Sequence, residues 1–118
     1  MKRILITVIA FSALITIAAA AQSSHTVTLN WTQSTSSGIT ANKVYRSTTS
    51  GSQGTAIYTS AAPVVTWTDS GPLTNGTTYY YCVSALAGSS NESACSTQVS
   101  AAIPTPPAAP GGLTLTIN

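Results

Sequence analysis

Strict alternation of apolar and polar residues over short stretches is the feature that most narrows the folds open to this chain. In HTVTLNWT the apolar residues Val27, Leu29 and Trp31 alternate with polar ones, which is the pattern of a strand with one buried face. Turn-forming residues separate this stretch from the ones that follow, and helical periodicity is absent beyond the N-terminal region. Short strands joined by turns predict an antiparallel all-β sandwich or barrel. The further strand candidates are ITANKVYRS, TAIYTS, VVTWTDS, TYYYCVSAL and ACSTQVSAAI.

The N-terminal region has a different character. Lys2 and Arg3 precede a long uncharged apolar stretch, and the run of alanines that ends at Ala21 supplies the small residues that a signal peptidase requires. We therefore expect residues 1–21 to be a cleaved secretory signal peptide. The mature protein would then be secreted or held at the cell surface, and would meet the membrane only during export. The alternative is an uncleaved anchor, because the apolar stretch is just long enough to cross a bilayer.

Charge argues against one class of partner. The formal net charge of +2 belongs entirely to the predicted signal peptide. A nucleic-acid-binding surface needs clustered Lys and Arg, and the remainder of the chain is too poor in both. We therefore expect no nucleic-acid partner. The charged residues after the signal peptide are Lys43, Arg46, Asp69 and Glu92.

Several segments, read together, resemble a fibronectin type III domain over about residues 26–104. They are VTLNW, KVYRSTTSG, TWTDSGPLTNGTTYYYCVSAL and NESACSTQVSAAIP. The most specific part is Leu73 followed by GTTY, ending at Tyr79, which is similar to the leucine–tyrosine corner of that family. The resemblance implies an immunoglobulin-like antiparallel sandwich of about seven strands. It also implies that Trp31, Tyr79, Tyr81, Val83 and Ala85 face the core.

Asn42 departs from the family pattern, which usually has a buried aromatic residue at that position. A polar side chain there needs a hydrogen-bond partner or a place at a sheet edge, because burying an unpaired polar group is costly.

The first strand of the family has no counterpart at the front of this chain, since residues 22–24 are too few to form one. PPAAPGGLTLTIN, at the other end, resembles the Pro-rich entry and first strand of such a domain. We therefore expect a sandwich over residues 22–103 that lacks its first strand, a Pro-rich linker over 104–112 and a C-terminal strand over 113–118. The strand would fill the edge formed by Val27, Leu29 and Trp31, in its own domain or in a neighbouring copy. Its inward residues would be Leu113, Leu115 and Ile117.

Cys82 and Cys95 fall opposite each other when their strands pair about a turn at Gly88-Ser89. In an exported chain this position predicts a disulfide, with two free thiols as the alternative. Closing so short a loop stabilises the fold by roughly 3 kcal/mol. The two cysteines and the distant His25 do not supply a tetrahedral ligand set, so we expect no metal and no cofactor.

Catalysis is not indicated by the remaining polar residues. His25 is the single histidine, and neither Asp69 nor Glu92 has a carboxylate near it in sequence for acid–base work. We therefore expect a protein that is not an enzyme.

An aromatic surface patch is a weaker candidate site. Tyr45 and Tyr80, with Lys43, should lie on the outward face of a sheet, where aromatic rings stack on sugars or proteins but more often stabilise the sheet itself. N-glycosylation is left open at the sequons that begin with Asn30, Asn75 and Asn91.

The sequence supports a secreted structural subunit that self-associates head-to-tail through its C-terminal strand, so its partners would be other copies of itself. A monomeric extracellular module that binds a polysaccharide or a cell-surface protein is the alternative. A third hypothesis is that the chain is a fragment of a longer protein.

Overall fold

A computed structural model describes residues 22–118, with side chains from Ser24 onward, so the predicted signal peptide lies outside the described residues. The described part contains no helix and therefore none that could cross a membrane. Its strands are β1 Gln22–Ser23, β2 Val27–Asn30, β3 Ala41–Ser47, β4 Thr55–Ala61, β5 Thr66–Asp69, β6 Leu73–Thr74, β7 Thr78–Ala87, β8 Asn91–Glu92 and β9 Val99–Ala102. The all-β prediction is confirmed.

One layer of the sandwich is the antiparallel pair β2–β5. The β1–β6 pair continues the register of the β2–β5 pair, since Ser23 faces Leu73 and Val27 faces Asp69. β1 is thus a continuation of β2 rather than a separate first strand. The expectation that residues 22–24 form no strand is wrong, because the chain is already extended along the end of the β5–β6 segment at this point. No described strand pairs with β2 on its other side.

The second layer is an antiparallel sheet in the order β4–β3–β7, with β8 and β9 both pairing with the far side of β7. Val44 in β3 faces Val83 in β7 and Tyr58 in β4. The register between β3 and β4 shifts after Val44. The long strand β7 is the centre of this sheet, which is why β-branched and aromatic residues dominate it.

The core lies between the two layers and is built on the alternating residues of β3 and β7. Val44 and Leu73 are fully buried, and the ring of Tyr81 is almost so. The family-implied inward positions of β7 are confirmed, with Tyr79, Tyr81 and Ala85 buried and Val83 partly buried. The partly buried residues that pack against the core are Val27, Leu29, Trp31, Ile57, Tyr58, Trp67, Val83 and Ala101.

The leucine–tyrosine corner closes one pole of the sandwich. The Tyr79 hydroxyl accepts a hydrogen bond of 2.9 Å from the Thr74 backbone N–H. Leu73 is completely buried beneath it. A tyrosine that packs its ring in the core and ties its hydroxyl to the backbone fixes the connection between the layers.

Asn42 is buried in β3 at 2% exposure, and both polar atoms of its side-chain amide are hydrogen-bonded. Its Nδ2 donates to Gln33 Oε1 at 2.8 Å and to the Val64 carbonyl at 3.2 Å, and its Oδ1 accepts from Gln33 Nε2 at 3.2 Å. The departure from the family pattern is therefore compensated by hydrogen bonds rather than by an edge position.

Candidate functional site

The outer edge of β2 is a strand edge with free backbone groups. The Trp31 N–H donates to the Val65 carbonyl at 3.0 Å, so Trp31 and Leu29 direct their backbone groups toward β5. Because backbone direction alternates along a strand, Thr28 and Asn30 direct theirs to the other side, where no described strand lies. Both side chains are exposed. An unpaired edge of this kind is a template for another strand.

A groove runs along this edge between β2 and β9, and we call it the β2–β9 groove. Val99 faces Tyr81 across the β7–β9 pair and so points to the core side of its sheet, yet it is 57% exposed. No described strand lies beside β2 on this side of the sandwich.

The groove contains two cavities that share Trp31 and Val83. The first, of about 200 Å³, lies toward Asn42, Ala85 and Ala94. The second, of about 190 Å³, lies toward Leu29, Tyr81 and Val99. The indole N–H of Trp31 is buried and has no hydrogen-bond partner in the described part of the chain. The predicted acceptor residues Leu29 and Trp31 therefore line an unfilled apolar groove, and Val27 lies further along the same edge.

The C-terminal segment carries a second set of uncovered apolar side chains. Residues 113–118 have no regular secondary structure, and Leu113, Leu115 and Ile117 are 98%, 87% and 88% exposed. The segment is not paired with β2 of its own chain. The fold-back arrangement is therefore absent from the single chain, and its role as a donor strand stays a prediction.

The chain leaves the sandwich at the pole where β2 begins. The buried Ile103 donates its N–H to the Thr77 carbonyl at 2.9 Å and accepts from the Gly76 N–H at 2.8 Å, which ties it to the corner. A strand antiparallel to β2 must start at the opposite pole, beside Trp31. Within one chain the linker would have to run the length of the sandwich and then reverse.

The last predicted strand, ACSTQVSAAI, is broken in the structure. Ser93 pairs with Ala85 through two hydrogen bonds: its N–H donates to the Ala85 carbonyl and its Oγ accepts from the Ala85 N–H. Ser96 binds Val83 in the same way. Each serine hydroxyl thus takes the place of a backbone carbonyl as the acceptor for β7. From Ser93 to Ser96 the chain advances three residues while β7 advances two. Such bulges prevent a regular ladder, so only β8 and β9 remain as strands.

The disulfide between Cys82 and Cys95 bridges β7 to this irregular stretch, with a Cα–Cα distance of 5.7 Å. The pairing was predicted and the bond is present. Cys95 lies between β8 and β9 rather than in a strand. Bulges and a crosslink both make an edge unsuitable for strand addition.

The β4 edge is covered on its inner side. The Tyr58 ring stacks on Trp67 with centroids 4.7 Å apart and planes within 9°. The edge of β2 combines free backbone groups with an open apolar groove.

A buried charge cluster lies at the pole opposite Trp31, and sequence reasoning missed it. Asp69 Oδ2 accepts from Arg46 Nη1 at 2.8 Å and from the Tyr81 hydroxyl at 2.9 Å. The Gly71 N–H donates to Asp69 Oδ1 at 2.9 Å. The Arg46 guanidinium also lies 5.3 Å from the centre of the Tyr79 ring. The signal available was that Arg46 continues the inward alternation of Asn42 and Val44.

Burial alone would raise the pKa of Asp69, but hydrogen bonds from Gly71, Arg46 and Tyr81 outweigh it and hold the pKa below its ordinary value. Burial, and then the hydrogen bond to Asp69, raise the pKa of Tyr81. At neutral pH Asp69 is therefore ionised, and its ion pair with Arg46 connects the two layers of the sandwich at this pole.

Glu92 organises the outward face of β3 and β7. Its carboxylate accepts from the Tyr45 hydroxyl and from Ser84 Oγ, the latter at 2.6 Å, and lies 3.7 Å from Lys43 Nζ. The hydrogen bond from Ser84 is the main reason that the pKa of Glu92 is lowered, and the bond to Glu92 is the main reason that the pKa of Tyr45 is raised.

The predicted aromatic patch lies on this outward face. Tyr45 faces Cys82 and Tyr80 faces Ser47, so the two tyrosines are diagonal neighbours. Both are partly buried, and the hydroxyl of Tyr45 is engaged by Glu92. Ligand binding by this patch stays a prediction.

The other candidates are dispersed. In the described residues no group of three or more His, Cys, Asp or Glu side chains could hold a metal ion. His25 is exposed, Asp69 points into the sandwich and Glu92 lies on its outer face. Of the sequon asparagines, Asn30 and Asn91 are exposed and Asn75 is partly buried.

Comparison with known proteins bears on the fold. No protein-family model matches the chain. No curated protein matches it either. Among solved structures, it is similar to an Fn3-like protein from Clostridium thermocellum, known from a crystal structure, with 33% sequence identity and a TM-score of 0.55. The match covers 72% of this chain and 83% of that one. With the corner at Tyr79 and the two antiparallel layers, this similarity shows that the chain belongs to the fibronectin type III-like family.

Proposed function

We propose that this protein is an exported, non-catalytic structural subunit that assembles head-to-tail into a filament or surface layer. Residues 113–118 of one copy fill the β2 edge of the next. The observation that carries the proposal is the inward-facing Val99, which is 57% exposed beside an unpaired strand edge. Completing the sandwich needs one more strand with one apolar face.

The C-terminal segment has the composition of that strand. Leu113, Leu115 and Ile117 alternate with two threonines, and the three apolar side chains are almost wholly exposed. Burying each would contribute roughly 1.5–3 kcal/mol. The added main-chain hydrogen bonds are those of strand addition, a recurrent mode of recognition between chains.

Linker geometry favours a neighbouring copy over the segment's own domain. Residues 104–112 contain four prolines, so a stiff extended chain of about 3.1 Å per residue is expected. It starts at the pole where β2 begins, and self-complementation requires reversal at the far pole. Entry into another copy requires no reversal. Tethering raises the effective concentration of the same chain's strand to about mM levels only where geometry permits closure.

A head-to-tail contact uses two different surfaces, and such contacts extend indefinitely unless the rotation between copies closes a ring. The mature chain therefore carries both halves of a polymerisation contact.

A pair of substitutions on neighbouring residues tests this proposal. Leu115→Asp places a charge on the apolar face of the segment, and Thr114→Asp places the same charge on its polar face. We expect Leu115→Asp to weaken association by at least roughly 30-fold, which corresponds to the loss of about 2 kcal/mol of apolar burial. Thr114→Asp should assemble much as the unmodified protein does.

Sedimentation velocity on the mature chain measures the outcome. Equal assembly of the two variants would contradict the proposal, since it would show that the apolar face of the segment is not buried in the contact.

A further inference from the structure

The geometry points to one register for the intersubunit strand, an inference that rests on the proposed assembly. We propose that residues 113–118 dock antiparallel to β2 of the next copy with Leu115 opposite Leu29. Leu113 then lies opposite Trp31, and Ile117 opposite Val27.

Face matching leaves few registers open. The inward residues of β2 are Val27, Leu29 and Trp31, all partly buried. A shift of one residue would turn every apolar side chain of the incoming strand to solvent. A shift of two residues in either direction would place one of the three apolar side chains opposite His25 or opposite Gln33. In the proposed register alone, each apolar residue of the incoming strand faces an apolar residue of β2.

The two cavities of the β2–β9 groove fit this arrangement. Leu113 enters the cavity of about 200 Å³ beside Trp31 and Ala85, and Leu115 enters the cavity of about 190 Å³ beside Leu29 and Val99. A cavity of about 150 Å³ in another protein holds benzene, which is larger than the four-carbon side chain of leucine. Successive inward residues of a strand are spaced by about 6.6 Å, which sets the two leucines on either side of the Trp31 and Val83 side chains.

The outward face supplies a second, independent match. Thr28 and Thr68 already share a hydrogen bond of 3.0 Å between their hydroxyls across β2 and β5. In the proposed register Thr116 lies directly opposite Thr28, on the edge where Thr28 directs its free backbone groups. The threonine pair therefore extends to a row of three, and cross-strand threonine pairs of this kind stabilise sheets.

Disulfide trapping between two separately prepared full-length variants reads the register directly. Directly paired residues whose backbones are hydrogen-bonded have Cα atoms about 5.5 Å apart, within disulfide range. Residues two positions out of register are about 7–8 Å apart and cannot be bridged without movement. The matched mixtures are Thr28→Cys with Thr116→Cys, and Asn30→Cys with Thr114→Cys. The mismatched mixtures are Thr28→Cys with Thr114→Cys, and Asn30→Cys with Thr116→Cys.

We expect cross-linked heterodimers in both matched mixtures and only background in the mismatched ones, with the joined peptides identified by mass spectrometry. Light scattering on the same samples reports assembly separately. Cross-linking in a mismatched mixture, or assembly without any cross-link, would overturn the register and leave the assembly intact. Monomers throughout, with no cross-link, would overturn both.

Discussion

The carboxylate of Asp69 connects the two layers by hydrogen bonds at one pole of the sandwich. It is 3% exposed and accepts hydrogen bonds from Arg46, Tyr81 and the Gly71 backbone. A buried carboxylate is tolerated only when its oxygens are fully paired. Removal of any one donor should therefore be felt in the stability of the whole domain.

Tyr81→Phe removes one of these donors and leaves the ring in place. We expect the free energy of unfolding to fall by about 2 kcal/mol, the usual worth of a hydrogen bond to a charged group. Tyr80→Phe is the matched control, because Tyr80 is a neighbouring tyrosine of β7 that lies on the outward face of the sheet, away from Asp69. Urea denaturation of both variants is the measurement. Equal unfolding midpoints would show that the Tyr81 hydroxyl contributes nothing.

Acid should weaken the same cluster. The folded-state pKa of Asp69 is below its unfolded value of about 3.9, so its contribution is fully present above that pH and is lost as the pH falls through the folded pKa. Asp69→Asn should be less stable than the unmodified protein at pH 7, and the difference should shrink at about pH 3. Unfolding midpoints at both values test this, and parallel pH profiles would contradict it.

For single residues, the sequence predicted that the buried Asn42 needs a hydrogen-bond partner, but it did not predict the pairing of Arg46 with Asp69. The alternation that places Asn42 and Val44 inward continues to Arg46. No pattern in the residues around Arg46 indicates that Asp69 lies beside it. Long-range pairs depend on how the two layers are stacked, which no short pattern encodes.

Among the elements, the stretch from Asn91 to Ala102 is the one whose structure differs most from its predicted strand. Alternating residues in ACSTQVSAAI suggest one continuous strand, but Ser93 and Ser96 bind β7 through both backbone and side chain. A serine hydroxyl that competes with a backbone carbonyl is a local effect that period-two patterns ignore. The disulfide was still predictable, because the bulges displace Cys95 by too little to break its match with Cys82.

Replacing these serines should loosen this edge. Ser96→Ala leaves the Val83 N–H without its protein acceptor, and Ser93→Ala does the same for Ala85. We expect each substitution to cost about 1 kcal/mol in the free energy of unfolding. Ser100→Ala, in the regular part of β9, is the control. Hydrogen exchange tests whether the lost hydrogen bond is the cause. The Val83 amide should exchange faster in Ser96→Ala, and the Ala85 amide should exchange faster in Ser93→Ala.

For the whole molecule, fold class and topology could be predicted from sequence because turn spacing, alternation and the corner at Tyr79 all agree. That the sandwich lacks its first strand stays a prediction, and within the described residues Gln22 and Ser23 only extend β2 itself. Whether the C-terminal segment would fill the β2 edge of its own domain or of a neighbouring copy could not be predicted from one chain. Strand addition between copies would depend on contacts between two molecules, and the residue pattern of one chain does not show which surfaces meet.

Molar mass as a function of concentration tests the central claim, which is that residues 113–118 complete the β2 edge of another copy. Light scattering on the purified mature protein should give masses that rise with concentration to multiples of one chain. Added synthetic GGLTLTIN should lower them by competing for the groove, and a scrambled peptide of the same composition should not. A mass of one chain at every concentration, unaffected by either peptide, would contradict the account.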